Sequence, residues 1–229
     1  MDCTFSGNRA ATWTSRGGGV YCYYSDFTMT GCEVLDNEAQ SRAGGMYCNN
    51  SSPDVTNCVF VRNRALGARG RGGGVYSWGG PPSFTACTFA ENEATHQGGV
   101  LYCSDSTPTF TNCILAFNSA AEYAIQCYDE EGTSEGSIPV FECCDIYGNA
   151  NGDWVSCIAD QVGVDGNFSE EPLFCDMGGD NVTLCANSPC LPEGNDCGVL
   201  IGARGPGCAE CSTAVEEVRW GAIKALFRN

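Results

Sequence analysis

Residues 58 to 63 read Cys58-Val-Phe-Val-Arg-Asn63, and 29 residues further on the chain reads Cys87-Thr-Phe-Ala-Glu-Asn92. The same frame is a cysteine, a large apolar residue two places on and an asparagine five places on. It returns at Cys3 to Asn8, Cys32 to Asn37, Cys113 to Asn118 and Cys144 to Asn149. Successive cysteines lie 29, 26, 29, 26 and 31 residues apart. The chain is therefore a repeat of one supersecondary unit, and each copy needs its neighbours to bury an apolar face.

Two further elements hold fixed places within the unit. One is Gly18-Gly-Val-Tyr21-Cys22, matched by Gly44-Gly-Met-Tyr47-Cys48, Gly73-Gly-Val-Tyr76-Ser77 and Val100-Leu-Tyr102-Cys103. The other is Thr28-Met-Thr30, matched by Asp54-Val-Thr56, Ser83-Phe-Thr85 and Thr109-Phe-Thr111. Three short stretches of alternating polarity, separated by Gly, Asn, Ser and Pro, predict three strands and three turns per coil, with no length left for a helix. The 29/26 alternation makes a coil pair of 55 residues, so that residues 2 to 56 recur as 57 to 111.

Stacking such coils about 4.8 Å apart places like residues in columns. The columns expected to face inward are Cys3, Cys32, Cys58, Cys87, Cys113 and Cys144; Phe5, Val34, Phe60, Phe89 and Leu115; Val20, Met46, Val75 and Leu101; and Met29, Val55, Phe84 and Phe110. The column Asn8, Asn37, Asn63, Asn92, Asn118 and Asn149 suits a corner, where asparagine tolerates left-handed backbone and its amide can bond up the stack. Outward charges support the register: Arg9, Glu38, Arg64 and Glu93 alternate in sign down one column, as do Asp36, Arg62 and Glu91 down another.

With its Cys-x-Phe-x-x-Asn and Gly-Gly-Gly-x-Tyr repeats, the chain resembles the right-handed parallel β-helix proteins of the pectate-lyase-like superfold over about residues 2 to 205. The closing stretches Gly166 to Cys175, Asn187-Ser-Pro-Cys190 and Cys197 to Ala203 look like the end of extracellular bacterial members of that group. The resemblance implies an all-β parallel solenoid of five to six coils over residues 1–156, a final coil and cysteine-rich cap over 157–211, and an amphipathic C-terminal tail over 212–229. It implies no single activity, because the superfold hosts lyases, hydrolases, adhesins and inert stalks.

Composition narrows the classes. Eleven basic residues against 28 acidic ones leave a formal charge of −17, which repels nucleic acid and anionic membranes. No apolar run approaches the roughly 20 residues of a transmembrane helix. Eighteen cysteines with a single histidine, His96, do not fall into the spaced Cys/His sets of a zinc protein and point to an oxidising, extracellular or cell-surface location. The coil cysteines leave two readings open: axial disulfides, such as Cys22 with Cys48 and Cys103 with Cys127, or columns of buried free thiols. Disulfides are expected among Cys157, Cys175, Cys185, Cys190, Cys197, Cys208 and Cys211. A secreted chain without a leader is expected to be a piece of a longer protein, or else to dock its uncovered amino end head to tail on another copy, with residues 212–229 as the partner surface.

The motifs of pectate lyases and polygalacturonases are absent, and the carboxylate groups Glu91/Glu93 and Asp129/Glu130/Glu131 read as a charge ladder and a loop. No catalytic residue is assigned. Acidity permits calcium, but no Asp-rich ligand loop is present and no cofactor is expected. The candidate ligand-binding residues are the outward tyrosines Tyr21, Tyr47, Tyr76 and Tyr102, whose rings could stack on sugars, and the flanking Arg16, Arg42 and Arg71, whose stacked charges call for acids or an anionic ligand. The expected function is a secreted non-catalytic surface module binding a polysaccharide or cell-surface component. The alternatives are a self-assembling filament subunit and an atypical polysaccharide lyase or hydrolase.

Overall fold

A computed structural model describes residues 2–128, 137–179 and 181–211. Each coil carries four strands, not three, and equivalent strands pair in parallel to form four sheets. The first sheet has six strands, from Thr4–Ser6 to Asp145–Tyr147, and contains the Cys-x-Phe element. The second has five strands of two residues each, from Arg9–Ala10 to Ser119–Ala120. The third runs from Val20–Tyr23 to Ile125–Tyr128, and the fourth from Thr28–Thr30 to Val140–Glu142. The second sheet is the element that alternating polarity misses, because two residues are too few to show a period. It is nonetheless written in the repeat as Asn-Arg-Ala or Asn-Glu-Ala, and its inward alanines Ala39, Ala65 and Ala94 are buried.

Registers agree with the columns throughout: Phe5 pairs with Val34, Val34 with Phe60, and Phe60 with Phe89. Inside, Phe60, Phe89, Phe84, Phe110 and Phe141 interlock by stacked and edge contacts, with centroids 4.7 to 6.2 Å apart. Cys32, Cys58, Cys87, Cys113 and Cys144 point into this core; Cys3, in the first coil, is exposed.

Two corners of the coil share one device. A residue with positive φ turns the chain just before each asparagine (Asp36, Arg62, Glu91, Phe117) and just before each cysteine (Gly31, Asn57, Ala86, Asn112, Cys143). The left-handed conformation thus falls one residue earlier than expected, and the asparagines are spared it. The turn leaves the following N–H aimed along the axis. Asn37, Asn63, Asn92 and Asn118 each donate that N–H, and a side-chain amide proton, to Oδ1 of the next asparagine at 2.9 to 3.2 Å. Asp153 terminates the ladder by accepting from Asn149.

At the other corner the thiol does the same work. The N–H groups of Cys32, Cys87 and Cys113 donate to Sγ of the next cysteine at 3.3 to 3.4 Å, while Cys58, Cys87, Cys113 and Cys144 donate their S–H to carbonyls of their own and the preceding coil. Burial holds the Cys113 thiol above its ordinary range, so it keeps the proton it donates. This is why the column is a ladder of free thiols: an axial disulfide would remove both donors. Asn167 closes the ladder by accepting from Cys144 N–H at 3.0 Å.

Four disulfides join Cys127 to Cys157, Cys143 to Cys197, Cys175 to Cys208 and Cys185 to Cys211. Neither Cys22–Cys48 nor Cys103–Cys127 is bonded, and Cys190 stays free. The Cys208-Ala-Glu-Cys211 spacing is that of a metal-ligand pair. Here each of the two reaches a different partner, so the clustered sulfurs of Cys175, Cys185 and Cys208 are already committed.

The cysteine-rich segment after residue 170 does not sit over the end of the stack. Its three-stranded sheet, Phe174–Asp176, Asn181–Cys185 and Pro206–Cys208, folds back along the outer face of the first sheet. Val182 packs on Val59, Val61 and Ala90, while Leu184, Leu191 and Ile201 pack on Ile114 and Ala116. Arg204 reaches Glu33 at 3.1 Å, and the N–H of Ala203 donates to the Thr88 hydroxyl at 2.9 Å. Burial on both faces explains why the outward positions Val59, Val61, Ala90, Ile114 and Ala116 are apolar, while Thr88 among them is satisfied by the Ala203 N–H. The amphipathic pattern of residues 212–229 and the acids Asp129, Glu130 and Glu131 lie outside the described residues.

Candidate functional site

The third sheet presents Tyr21, Tyr47, Tyr76 and Tyr102 on its outer side in one register column. Their rings stack on each other with centroids 5.5, 5.0 and 4.8 Å apart, and Tyr128 extends the ladder. Stacking uses the ring faces. Tyr47 and Tyr76 are only 1% and 4% exposed and Tyr102 is equally covered, while Tyr21 in the first coil keeps 49%. The expected open aromatic stripe is thus corrected at Tyr47, Tyr76 and Tyr102, which point outward but have their faces occupied and cannot receive a sugar, while Tyr21 stays half exposed. Burial pushes the Tyr102 phenol up to about 12 against the pull of Arg71, so the ring stays neutral.

What covers the tyrosines is the arginine column. Arg16, Arg42 and Arg71 are bridged in parallel register where each coil enters the third sheet. Their guanidinium carbons lie 5.6, 5.2 and 4.9 Å from the ring centroids of Tyr47, Tyr76 and Tyr102. Arg71 also donates from Nη1 to the Tyr102 hydroxyl at 3.3 Å, yet its Nε is buried with no partner. Cation–π contact fixes the planes of these groups without neutralising them.

Charge pairing separates the basic residues into two sets. Arg9, Arg62, Arg64 and Arg204 pair with Glu38, Asp36, Glu38 and Glu33. Among the described residues, Arg16, Arg42, Arg69 and Arg71 make no ion pair with a carboxylate, and all four lie at one corner of the first three coils. The stripe ends where acids begin: in the fourth coil Gln97 takes the arginine's place and donates to Glu122 at 2.8 Å, with His96 of the same coil 3.7 Å from that carboxylate. Arg16, Arg42 and Arg71 line a shallow groove of 550 Å³, shared with Asn49, Ser104 and Asp105, whose carboxylate accepts from the Trp78 indole at 3.2 Å. The carboxylates weighed for catalysis fall elsewhere, with Glu91 beside Arg62 at 4.0 Å and Glu93 in register with Arg64.

Sequence reasoning passed over one aromatic residue. Trp13, in the corner loop of the first coil, is 91% exposed with its ring uncovered. Its signal was the three residues by which the 29-residue coils exceed the 26-residue ones, all of which fall between the alanine of the second sheet and the arginine. Asp145 was also passed over; it is fully buried between the first sheet and the back-folded segment, accepting from Glu170 N–H at 3.1 Å and the Cys190 thiol at 3.3 Å.

No curated protein and no solved structure matches the chain. The family model for the right-handed β-helix region matches residues 1–169, the span that carries the four sheets and both ladders. The chain belongs to the right-handed β-helix family.

Proposed function

We propose that this protein is a secreted, non-catalytic module that binds an acidic polysaccharide along the arginine stripe. The observation that carries the reading is the segregation of charge: in a chain of net charge −17, the described arginines without a carboxylate partner are gathered at one corner. Three stacked guanidinium groups repel one another, and leaving Arg71 Nε buried and unsatisfied adds to that cost. An anion laid across them relieves the repulsion. A polymer with a carboxylate on each sugar suits them better than a single ion, because the coils repeat about every 4.8 Å and an extended sugar chain advances by a comparable step. Arginine binds such groups through planar paired donors. The four disulfides support an extracellular setting.

Arg42→Gln removes the central charge of the stripe. It should weaken binding to polygalacturonate about tenfold, the worth of one charge-assisted hydrogen bond, and leave the melting temperature nearly unchanged. Arg9→Gln, which removes an arginine already paired with Glu38, serves as the control and should bind like the parent. Equal binding by Arg42→Gln and the parent would refute the assignment of the stripe.

A further inference from the structure

The three-residue insertions occur in the first and third coils and are absent from the second. Residues 11–15 and 66–70 therefore project on either side of the short segment Gln40-Ser41, and together they enclose a cleft of 740 Å³ beside the arginine stripe. Both loops are tight turns built alike: Ser15 N–H donates to Thr12 C=O at 2.9 Å, and Gly70 N–H to Gly67 C=O at 2.7 Å. Both are also fastened to the coils. The Ser15 hydroxyl accepts from Gln40 N–H at 3.1 Å, and the Thr95 hydroxyl donates to the carbonyls of Gly67 and Ala65. A Cβ on Gly67 would collide with the Gln40 carbonyl, so glycine is what lets the second loop lie close over the cleft floor. These walls are fixed in advance of any ligand.

The lining combines three chemistries. Trp13 offers an uncovered aromatic surface on one wall. Arg69, exposed and without a carboxylate partner among the described residues, stands on the other, with the amide of Gln40 and the hydroxyl of Ser41 on the floor. A sugar ring has matching parts, with an apolar C–H face, a rim of hydroxyls and, in a uronic acid, a carboxylate. Trp13, Gln40 and Arg69 each stand two or three residues before an arginine of the stripe, so the cleft and the stripe adjoin along one edge.

We infer that the cleft formed by the two inserted loops is a saccharide subsite in which a sugar ring stacks on Trp13 while Arg69 takes its carboxylate. The inference rests on the acidic-polysaccharide reading for the identity of the polymer, but it assigns different residues. Its role is to fix one ring of a chain whose charges run along Arg16, Arg42 and Arg71, adding stacking and register to an otherwise electrostatic contact.

The test is tryptophan emission and affinity, titrated with hexagalacturonate and with the neutral cellohexaose, for the parent, Trp13→Ala and Arg42→Gln. Trp13 makes no packing contact that its loss would disrupt, so the variant keeps the fold. Hexagalacturonate should shift the parent's emission, and Trp13→Ala should lose the Trp13 component and about tenfold in affinity. Cellohexaose, binding more weakly, should still perturb Trp13 in Arg42→Gln. If hexagalacturonate binds Trp13→Ala as tightly as the parent, the subsite is overturned while the arginine stripe stands. If hexagalacturonate fails to bind the parent, the stripe reading falls, and the subsite then survives only on a cellohexaose response that Trp13→Ala abolishes. No response of Trp13 to either sugar overturns it.

Discussion

Asn63→Ala should destabilise the protein by about 4 kcal/mol, far more than any surface substitution in the same coil. The side chain is fully buried and joins three coils. Its Oδ1 accepts from the N–H and amide of Asn37, and its Nδ2 donates to the Val34 carbonyl at 2.8 Å and to Asn92 Oδ1 at 3.0 Å. Alanine removes that oxygen and that amide together. The Asn37 N–H is then left without its acceptor in a dry corner, at roughly 1–3 kcal/mol, and the Val34 carbonyl loses one of its bonds, in addition to the severed side-chain ladder. The exposed ion pair Arg62–Asp36, one residue away, sets the comparison: Arg62→Ala should cost less than about 1 kcal/mol despite its 2.9 Å contact. Denaturant unfolding of the two variants measures the difference, and similar losses for both would show that the amide ladder is not what holds the corner.

The second large effect depends on pH. Burial between the first sheet and the back-folded segment raises the Asp145 carboxyl to about 8, only partly offset by the Glu170 N–H and the Cys190 thiol. The folded protein therefore keeps a proton that the unfolded chain releases near pH 4. Below pH 4 both states are protonated and stability is full. From there it falls as pH rises, and the loss is complete once pH passes about 8. Integrated over that window the effect is on the order of 5 kcal/mol as an upper figure. Asp145→Asn keeps the shape and a carbonyl oxygen for Glu170 N–H but cannot ionise. It should match the parent near pH 3, where both states of the parent are protonated, and exceed it by several kcal/mol at pH 9, measured as unfolding free energy at the two pH values. Parallel pH profiles for the two proteins would mean that Asp145 is ionised in the fold.

The columns were legible because each inward residue recurs at the same place in a unit of known length, and a one-residue error of register would have turned Phe60 and Phe89 to solvent. The charge ladder was legible for the same reason, and Arg9–Glu38 and Arg62–Asp36 pair as the alternation of sign requires. The rest depends on distances the repeat does not contain. An outward tyrosine column reads alike whether its rings splay into solvent or stack face to face, and only the coordinates show that Arg16, Arg42 and Arg71 close over Tyr47, Tyr76 and Tyr102. The free-thiol ladder could not be told from axial disulfides, since both need stacked cysteines; in the structure the column is unbonded, with backbone N–H groups aimed at Sγ of Cys58, Cys113 and Cys144. Docking of the cysteine-rich segment on the first sheet was foreshadowed by Val59, Val61, Ile114 and Ala116, apolar where Thr4 and Ser6 are polar, but the repeat cannot say what covers them. Asp145 occupies the register column of Thr4, Glu33, Val59, Thr88 and Ile114, and nothing local marks its burial.

What the proposed function requires is that Arg16, Arg42 and Arg71, which pair with no carboxylate among the described residues, hold an anionic polymer by charge. It is tested most directly by the salt dependence of polygalacturonate binding to the intact protein, measured by titration calorimetry from low to high sodium chloride. Exposed charges about 5 Å apart are strongly screened once the Debye length falls to about 3 Å near 1 M salt. The affinity should therefore drop steadily, by about tenfold or more across the series, and the slope should shrink in Arg42→Gln. Binding that ignores salt, or a parent protein that prefers a neutral polymer to the acidic one at low salt, would show that the arginine stripe does not hold the polymer by charge.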